Sequence, residues 1–286
     1  MSIVITGATG HLGRLVVEHL LADGFAADQI VAAGRRTERL ADLAALGVRT
    51  AAIDFADSAS LEAAFAGADT VLLVSGSEPG QRITQHTRAI EAAVAAGVGR
   101  VVYTSAPHAD TSDLVLAPDH KATEAALRAS GLTWTVLRNN WYTENYAGTL
   151  AQARETGVVL TSTGGGRVAS ASRDDFAAAA AVVLVGTGHD HRVYELSGDV
   201  AWTFDEFAGA ASEALGVPVV HKDVSSDEHR AILLSAGLDD GTAGFVVTLD
   251  ADIRRGDLAD ATSDLRDLIG RPTTGLLDGL RALAAS

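Results

Sequence analysis

The sequence predicts an α/β fold, a doubly wound parallel sheet flanked by helices and followed by a smaller C-terminal α/β lobe. Three observations predict it. Short apolar runs alternate with stretches of helical period through the first half of the chain. The first run, Ile3 to Ile5, stops at Thr6, and glycines follow at positions 7, 10 and 13 before a helical pattern begins. No Pro- or Ser-rich linker separates the irregular second half from the first. The expected division is therefore a sheet domain over 1–150 and a lobe over 151–286, with some of its segments returning to the main sheet.

Each element has its own warrant. Glycine at the first turn permits backbone angles that a side chain disfavours, and it lets the main chain approach both a ligand and the packing helix. The free N–H groups at the helix start then offer a seat for a pyrophosphate, so Thr6, Gly7, Thr9, Gly10, His11, Leu12 and Gly13 are read as cofactor-binding. Helix one carries Leu12, Leu15, Val16, His19 and Leu20 at three- and four-residue spacing and ends at Gly24. Strand two, Gln29 to Gly34, delivers Arg35 and Arg36 to where a dinucleotide's ribose lies. Arginine there accommodates a 2′-phosphate, which favours NADPH; the other reading is two solvated arginines opening a helix over Arg36 to Leu46.

Strand three, Val48 to Ile53, runs into Asp54 and Phe55, which either meet the adenine or, in the case of Asp54, cap a helix beginning near Ser58. Strand four, Thr70 to Val74, leads into Ser75, Gly76 and Ser77, small residues over which a cofactor can pass. A helix over Gln81 to Ala96 precedes strand five, Arg100 to Thr104, and Thr104 joins the cofactor-binding set at that strand's end. A loop from Ala106 to Pro118, a helix over His120 to Ser130 and strand six, Thr133 to Leu137, complete six strands separated by helices: a Rossmann-type sheet.

Beyond Leu137, Trp141, Tyr142 and Tyr146 cluster with amide side chains, although aromatics make up only 5% of the chain. They suit a wall for a flat conjugated substrate, or the core where two domains meet. Then come a flexible turn at Thr163 to Gly166, an alanine-rich helix over Arg173 to Val185, a strand at Val193 to Leu196, a helix over Trp202 to Leu215, a strand at Val217 to Val224, and a mostly helical remainder.

Composition narrows the function. With 286 residues, 47% of them hydrophobic and 21% charged, the chain buries a large core. It has no cysteine, which removes disulfides, thiolate metal sites and a thiol nucleophile, and no metal site is expected. A formal charge of −15 disfavours nucleic acid and anionic lipid. The N-terminal residues lead straight into a strand, and no apolar run reaches the ~18 residues of a membrane span, so a soluble cytoplasmic protein is expected. The alanine-rich helices serve either a homodimer face or internal packing.

One absence shapes the chemistry. Short-chain hydride-transfer enzymes pair a tyrosine with a lysine four residues later, but Tyr103, Tyr142, Tyr146 and Tyr194 are followed at that spacing by Pro107, Tyr146, Leu150 and Gly198. Chemistry then rests mainly on the cofactor.

Six segments carry a resemblance: TGATGHLG from Thr6, SGSEPGQR (Ser75 to Arg82), SAPHADTS (Ser105 to Ser112), DHKATEAAL (Asp119 to Leu127), LRNNWYTENY (Leu137 to Tyr146) and DVAWTFDEFA (Asp199 to Ala208). Together they make the chain similar to the NmrA-like, atypical short-chain dehydrogenase/reductases, nearest the type 2 NAD(P)H:quinone oxidoreductases, with triphenylmethane dye reductases as near relatives. The resemblance implies NADPH held along Gly7 to Leu12, Arg35, Ser75 to Ser77, and Asn139, Asn140 and Trp141 to Glu144. It implies hydride delivery to a quinone or similar conjugated acceptor without flavin or metal. It puts His120 where relatives have a catalytic lysine or histidine, as proton donor, cofactor-positioning group or plain helix-start residue, with Tyr142 as the other catalytic candidate. His11 departs from a glutamine common in relatives. Two other functions stay open: an NADPH-dependent carbonyl or imine reductase, and an NmrA-type redox-sensing regulator that binds dinucleotide without turnover.

Overall fold

β1 (Ile3–Ile5) is buried along its whole length because it runs through the middle of a sheet covered on both faces, which is why an unbroken apolar run encodes it. In the computed structural model, which describes residues 1–76, 78 and 80–285, the chain divides into two units. The first comprises Met1–Asp110, Pro118–Asn139 and Arg173–Glu195. Its helices and strands follow in the order α1 (His11–Ala22), β2 (Ile30–Gly34), α2 (Ala41–Ala45), β3 (Arg49–Ala52), α3 (Ser58–Phe65), β4 (Thr70–Leu73), α4 (Arg82–Ala95), β5 (Arg100–Ser105), α5 (Ala117–Ala129) and β6 (Thr133–Asn139). The second comprises Thr111–Ala117, Asn140–Ser172 and Leu196–Ser286. Its first elements are α6 (Ala147–Thr156), β7 (Val158–Thr161) and β8 (Arg167–Val168), after which α7 (Arg173–Val185) and β9 (Arg192–Leu196) belong to the first unit. It resumes with β10 (Trp202–Thr203), α8 (Phe204–Leu215), β11 (Val220–Asp223), α9 (Ser226–Ser235), α10 (Asp240–Arg255), α11 (Asp264–Ile269) and α12 (Leu276–Ala285).

The main sheet has the order β3-β2-β1-β4-β5-β6-β9, so the chain reverses direction of travel between β1 and β4. β1 to β6 pair in parallel, and the register sets Val4 beside Val31 and Val71, and Val71 beside Val101. These valines share one face with Val136, and Leu61 and Phe65 of α3, Ala89, Ile90 and Ala93 of α4 and Leu127 of α5 pack on it. β3, at the edge, is largely exposed, in keeping with its Arg49 and Thr50.

Three expectations change here. The boundary falls after Asn139, not at 150; Arg173–Glu195, a segment of the kind expected to return to the main sheet, lies in the first unit. There α7 packs against α1, His19 bonding Asp174 at 2.8 Å, and β9 becomes the seventh strand. α5 begins at Ala117, so Pro118 lies inside the helix; a proline is tolerated in a first turn because its missing N–H has no intrahelical partner to lose. Trp202 and Thr203 form a short strand antiparallel to β8, because Thr203 caps α8 with its side chain in a reciprocal bond with Glu206.

Within the second unit β7 pairs in parallel with β11, while Tyr146, Trp202, Phe204 and Phe207 form a cluster in which Tyr146 meets the other three rings edge-on. Among the described residues no helix is long and apolar enough to cross a membrane.

Candidate functional site

Because β1, β4, β5 and β6 run parallel, their carboxyl ends share one edge of the sheet, and the reversal between β1 and β4 opens a crevice there. Thr6, Ser75, Gly76, Thr104 and Asn139 are at or just past those ends. Thr6, fully buried, accepts a bond from the Val74 N–H at 2.9 Å and donates to the Leu72 carbonyl, tying β1 to β4. Thr104 accepts from the Ser75 N–H at 2.9 Å, tying β4 to β5.

The glycine turn is shaped by close approach. Gly7 has φ +64, which its lack of a side chain makes cheap. A Cβ on Gly13 would lie 2.6 Å from the Gly7 carbonyl oxygen, and a Cβ on Gly34 would lie 2.6 Å from the Thr9 methyl. Gly10 occupies the cap position of α1 in an extended conformation, and no side chain caps that helix end, so its first N–H groups face outward from a bare terminus. His11 is exposed at the first helical position and Leu12 is buried.

Arg35 projects from the end of β2, its side chain 69% exposed, and its Nη1 donates to Glu78 Oε1 at 2.7 Å. Arg36 is exposed and precedes a short turn of 3-10 helix over Thr37–Leu40 that runs into α2, so the helix expected from Arg36 to Leu46 is present in two pieces. Asp57, not Asp54, caps α3, accepting from the Ala59 N–H; Asp54 instead accepts from the Ala56 N–H two residues on. Phe55 lies partly buried at the edge of the core beside His86. Ser77 lies outside the described residues.

Two side chains that the motif reading passed over shape the crossing at Gly76. Its N–H donates to His86 Nε2 at 3.0 Å and its carbonyl accepts from Arg82 Nε at 2.9 Å. The bond at Nε2 leaves the His86 proton on Nδ1, which faces Thr123 Oγ1 at 3.0 Å, while Arg82 also pairs with Asp119 at 2.9 Å. Arg82 and His86 sit one turn apart on α4, on the face that also carries Ala89 and Ile90. In the sequence Arg82 only closes the SGSEPGQR segment, and His86 stands among polar and apolar residues of a helix with no pattern that singles it out.

His120, in the first turn of α5, is buried, and its Nδ1 lies 2.8 Å from the Tyr103 hydroxyl. Burial first, then the charges of Arg82 and His86, bring the His120 imidazole down to about 3. His86 is brought to about 3 by burial and then by Arg82, and burial pushes the Tyr103 hydroxyl up. All three are neutral near pH 7. Nearby, the buried Arg138 guanidinium on β6 grips buried Glu124 through two bonds of 2.8 and 2.9 Å, and also reaches Asp110 and Glu195 at 2.8 Å.

In the second unit, Asn140 Oδ1 accepts from the Trp141 N–H at 2.7 Å, and the Asn140 N–H donates to the Leu196 carbonyl at 2.8 Å. Trp141 and Tyr142 are half-buried, and Tyr142 bridges to Ala171. Tyr146 is different: it is buried in the aromatic cluster, so it acts as packing and not as a wall facing a ligand. Among the described residues no group of histidines and carboxylates is placed to hold a metal ion.

A family described as NAD(P)H-binding matches residues 7–185. Over 281 residues the chain is 44% identical to quinone oxidoreductase 2 of Escherichia coli, covering 98% of both proteins. The crystal structure of the NADPH-dependent quinone oxidoreductase of E. coli complexed with NADPH superposes with a TM-score of 0.94 at 44% identity, over 98% of this chain and 99% of that one. Triphenylmethane reductase of Citrobacter sp. superposes with a TM-score of 0.94 at 37% identity over the whole of both chains. The resemblance expected from the six segments is borne out on both sides. On these grounds the chain belongs to the NAD(P)H-binding family.

Proposed function

We propose that the protein is an NADPH-dependent oxidoreductase that transfers hydride directly to a quinone or a similar conjugated acceptor, in the cytoplasm. The observation that carries the reading is the glycine turn, which places a bare helix N-terminus at the crevice where the sheet reverses, with Arg35 at the next strand's end. The likeness to the E. coli and Citrobacter reductases supports it.

The residues fit the cofactor. The turn's close approaches leave no room for a Cβ at Gly13, and the uncapped N–H groups of α1 suit a pyrophosphate. Arg35, with Arg36 beside it, supplies the local positive charge a 2′-phosphate needs on a chain that is acidic as a whole. Asp54 and Phe55 are assigned to the adenosine end. Ser75 and Gly76, held by Thr104, His86 and Arg82, form the floor over which the dinucleotide passes. Asn139, Asn140 and Trp141 are assigned to the nicotinamide end, and Trp141 and Tyr142 to the flat acceptor.

When bound, NADPH supplies a hydride that reduces a quinone to the hydroquinone anion, which then takes up one proton. Near pH 7 His120 carries no positive charge, so it is a weak acid, and its bond to Tyr103 makes it a positioning group. Water is then the proton source. A quinone tolerates this because the reduced ring spreads its charge onto oxygen, whereas a ketone or imine reductase needs a stronger donor.

The test is oxidation of NADPH by a small quinone, followed through the loss of reduced-nicotinamide absorbance, beside NADH and beside Arg35→Ala. Turnover that prefers NADPH, with the preference lost in the variant, supports the reading. Tight NADPH binding without oxidation by any quinone, dye or ketone refutes it in favour of a dinucleotide-sensing regulator.

A further inference from the structure

Arg35 carries the preference for a 2′-phosphate in the reading above, yet its guanidinium is already paired. Nη1 donates to Glu78 Oε1 at 2.7 Å, and the other oxygen, Oε2, accepts from Gln85 Nε2 at 2.9 Å. The carboxylate is thus held between two side chains from different elements, Arg35 after β2 and Gln85 on α4. Two residues before Glu78, both polar groups of the Gly76 peptide are bound by α4, through His86 and Arg82. One helical turn, Arg82 to His86, therefore sets where the carboxylate sits. The bonds from Gln85 and Arg35 hold Glu78 below the usual carboxylate range, while the negative charge of Asp54 opposes them. Near neutral pH this corner carries Arg35 and Arg36 against Glu78 and Asp54.

We propose that Glu78 is a specificity-determining residue that weakens the discrimination between NADPH and NADH by competing with the cofactor's 2′-phosphate for Arg35. The proposal rests on the NADPH reading above. A phosphate arriving at Arg35 either displaces the carboxylate or binds beside it. In both cases a negative charge opposes it, and that opposition does not apply to the 2′-hydroxyl of NADH. A carboxylate in this neighbourhood can instead accept a bond from the ribose hydroxyl, the usual device for preferring NADH. Glu78 thus works against one cofactor and not the other, through the same arginine.

The test is calorimetric binding of NADP⁺ and NAD⁺ to the wild-type chain, Glu78→Gln, Arg35→Ala and the double variant. Glutamine keeps an oxygen for Arg35 and Gln85 and removes only the charge. Because the pair is exposed, Glu78→Gln should tighten NADP⁺ by about three- to five-fold at low salt and leave NAD⁺ unchanged or weaker. The gain should shrink as ionic strength rises and vanish in the Arg35→Ala background. The proposal is overturned if Glu78→Gln leaves NADP⁺ binding unchanged or weaker, tightens NAD⁺ equally, or gives the same gain without Arg35. If the wild-type chain binds neither dinucleotide, the underlying NADPH reading falls as well; if it binds NADP⁺ and Glu78→Gln changes nothing, only the role of Glu78 falls.

Discussion

Replacing Gly13 with alanine separates two physical effects that usually act together. Inside a helix the change from glycine to alanine stabilises by ~1 kcal/mol, because glycine loses more backbone freedom on folding. Gly209, exposed in α8 with nothing within 4 Å of a built Cβ, should show that gain in full. At Gly13 the Cβ would lie 2.6 Å from the Gly7 carbonyl oxygen, 2.7 Å from its carbon and 2.9 Å from the Ala8 nitrogen, where ordinary contact begins at 3.4 Å. All three atoms are backbone, so the turn itself must retreat by about 0.8 Å at the closest of them. Overpacking of this kind costs ~1–3 kcal/mol, which outweighs the helical gain and leaves a net loss of up to ~2 kcal/mol. The same retreat moves the turn that is proposed to hold the pyrophosphate, so NADPH binding should fall by at least ~10-fold, as misplaced recognition groups typically cause. Thermal melting of the two variants with and without NADPH measures both effects. Gly209→Ala should melt higher than wild type and keep its ligand-induced rise, while Gly13→Ala should melt lower and lose most of that rise. A Gly13→Ala chain as stable as Gly209→Ala, with its NADPH response intact, refutes the close-approach argument.

Other outcomes follow from the buried polar groups. His86 and His120 sit at about 3 in the folded chain, against ~6.5 unfolded. The unfolded chain therefore binds more protons between those values, and each histidine's contribution is present above pH 6.5 and lost as pH falls towards 3. The loss runs at up to ~1.4 kcal/mol per pH unit for each, so His86→Gln should flatten the decline of melting temperature between pH 6.5 and 5, and an unchanged slope would contradict its buried neutral state. Arg138→Ala leaves buried Glu124 with Ser105 and Arg128 as partners, so in denaturant unfolding it should cost less than the ~3–5 kcal/mol of a fully stranded buried charge, yet clearly more than breaking an exposed ion pair such as Arg281 with Glu213, which should be nearly silent. The Tyr146 hydroxyl is buried with no hydrogen-bond partner among the described residues, so Tyr146→Phe should be neutral or stabilising by up to ~1 kcal/mol and should leave quinone kinetics untouched. A marked loss of quinone turnover in that variant would restore Tyr146 to the acceptor's wall.

The parallel sheet, the turn at Gly7 to Gly13 and the position of Arg35 were legible in the sequence alone, because each depends on local rules. Burial on both faces demands apolar runs, a tight turn demands glycine, and a strand's end is set by where the run stops. Features that arise from distant parts of the chain were not legible. Which of the later segments return, with β9 taking the sheet edge beside β6, depends on which edge remains open once β6 is in place. That Asp57 and not Asp54 caps α3, and that Pro118 lies within α5, depends on where each helix's first turn closes, which neighbouring residues encode equally well either way. Gly76 is held by Arg82 and His86, Arg35 by Glu78, and His120 by Tyr103. In each case the partner is on another element, brought near by the order of strands, and side-chain pairing across such distances leaves no periodicity to read. The sequence by itself named the residues proposed to meet a dinucleotide; only the tertiary structure decided which of them are exposed, which are already paired and which are packing, since those properties depend on the neighbours that folding supplies.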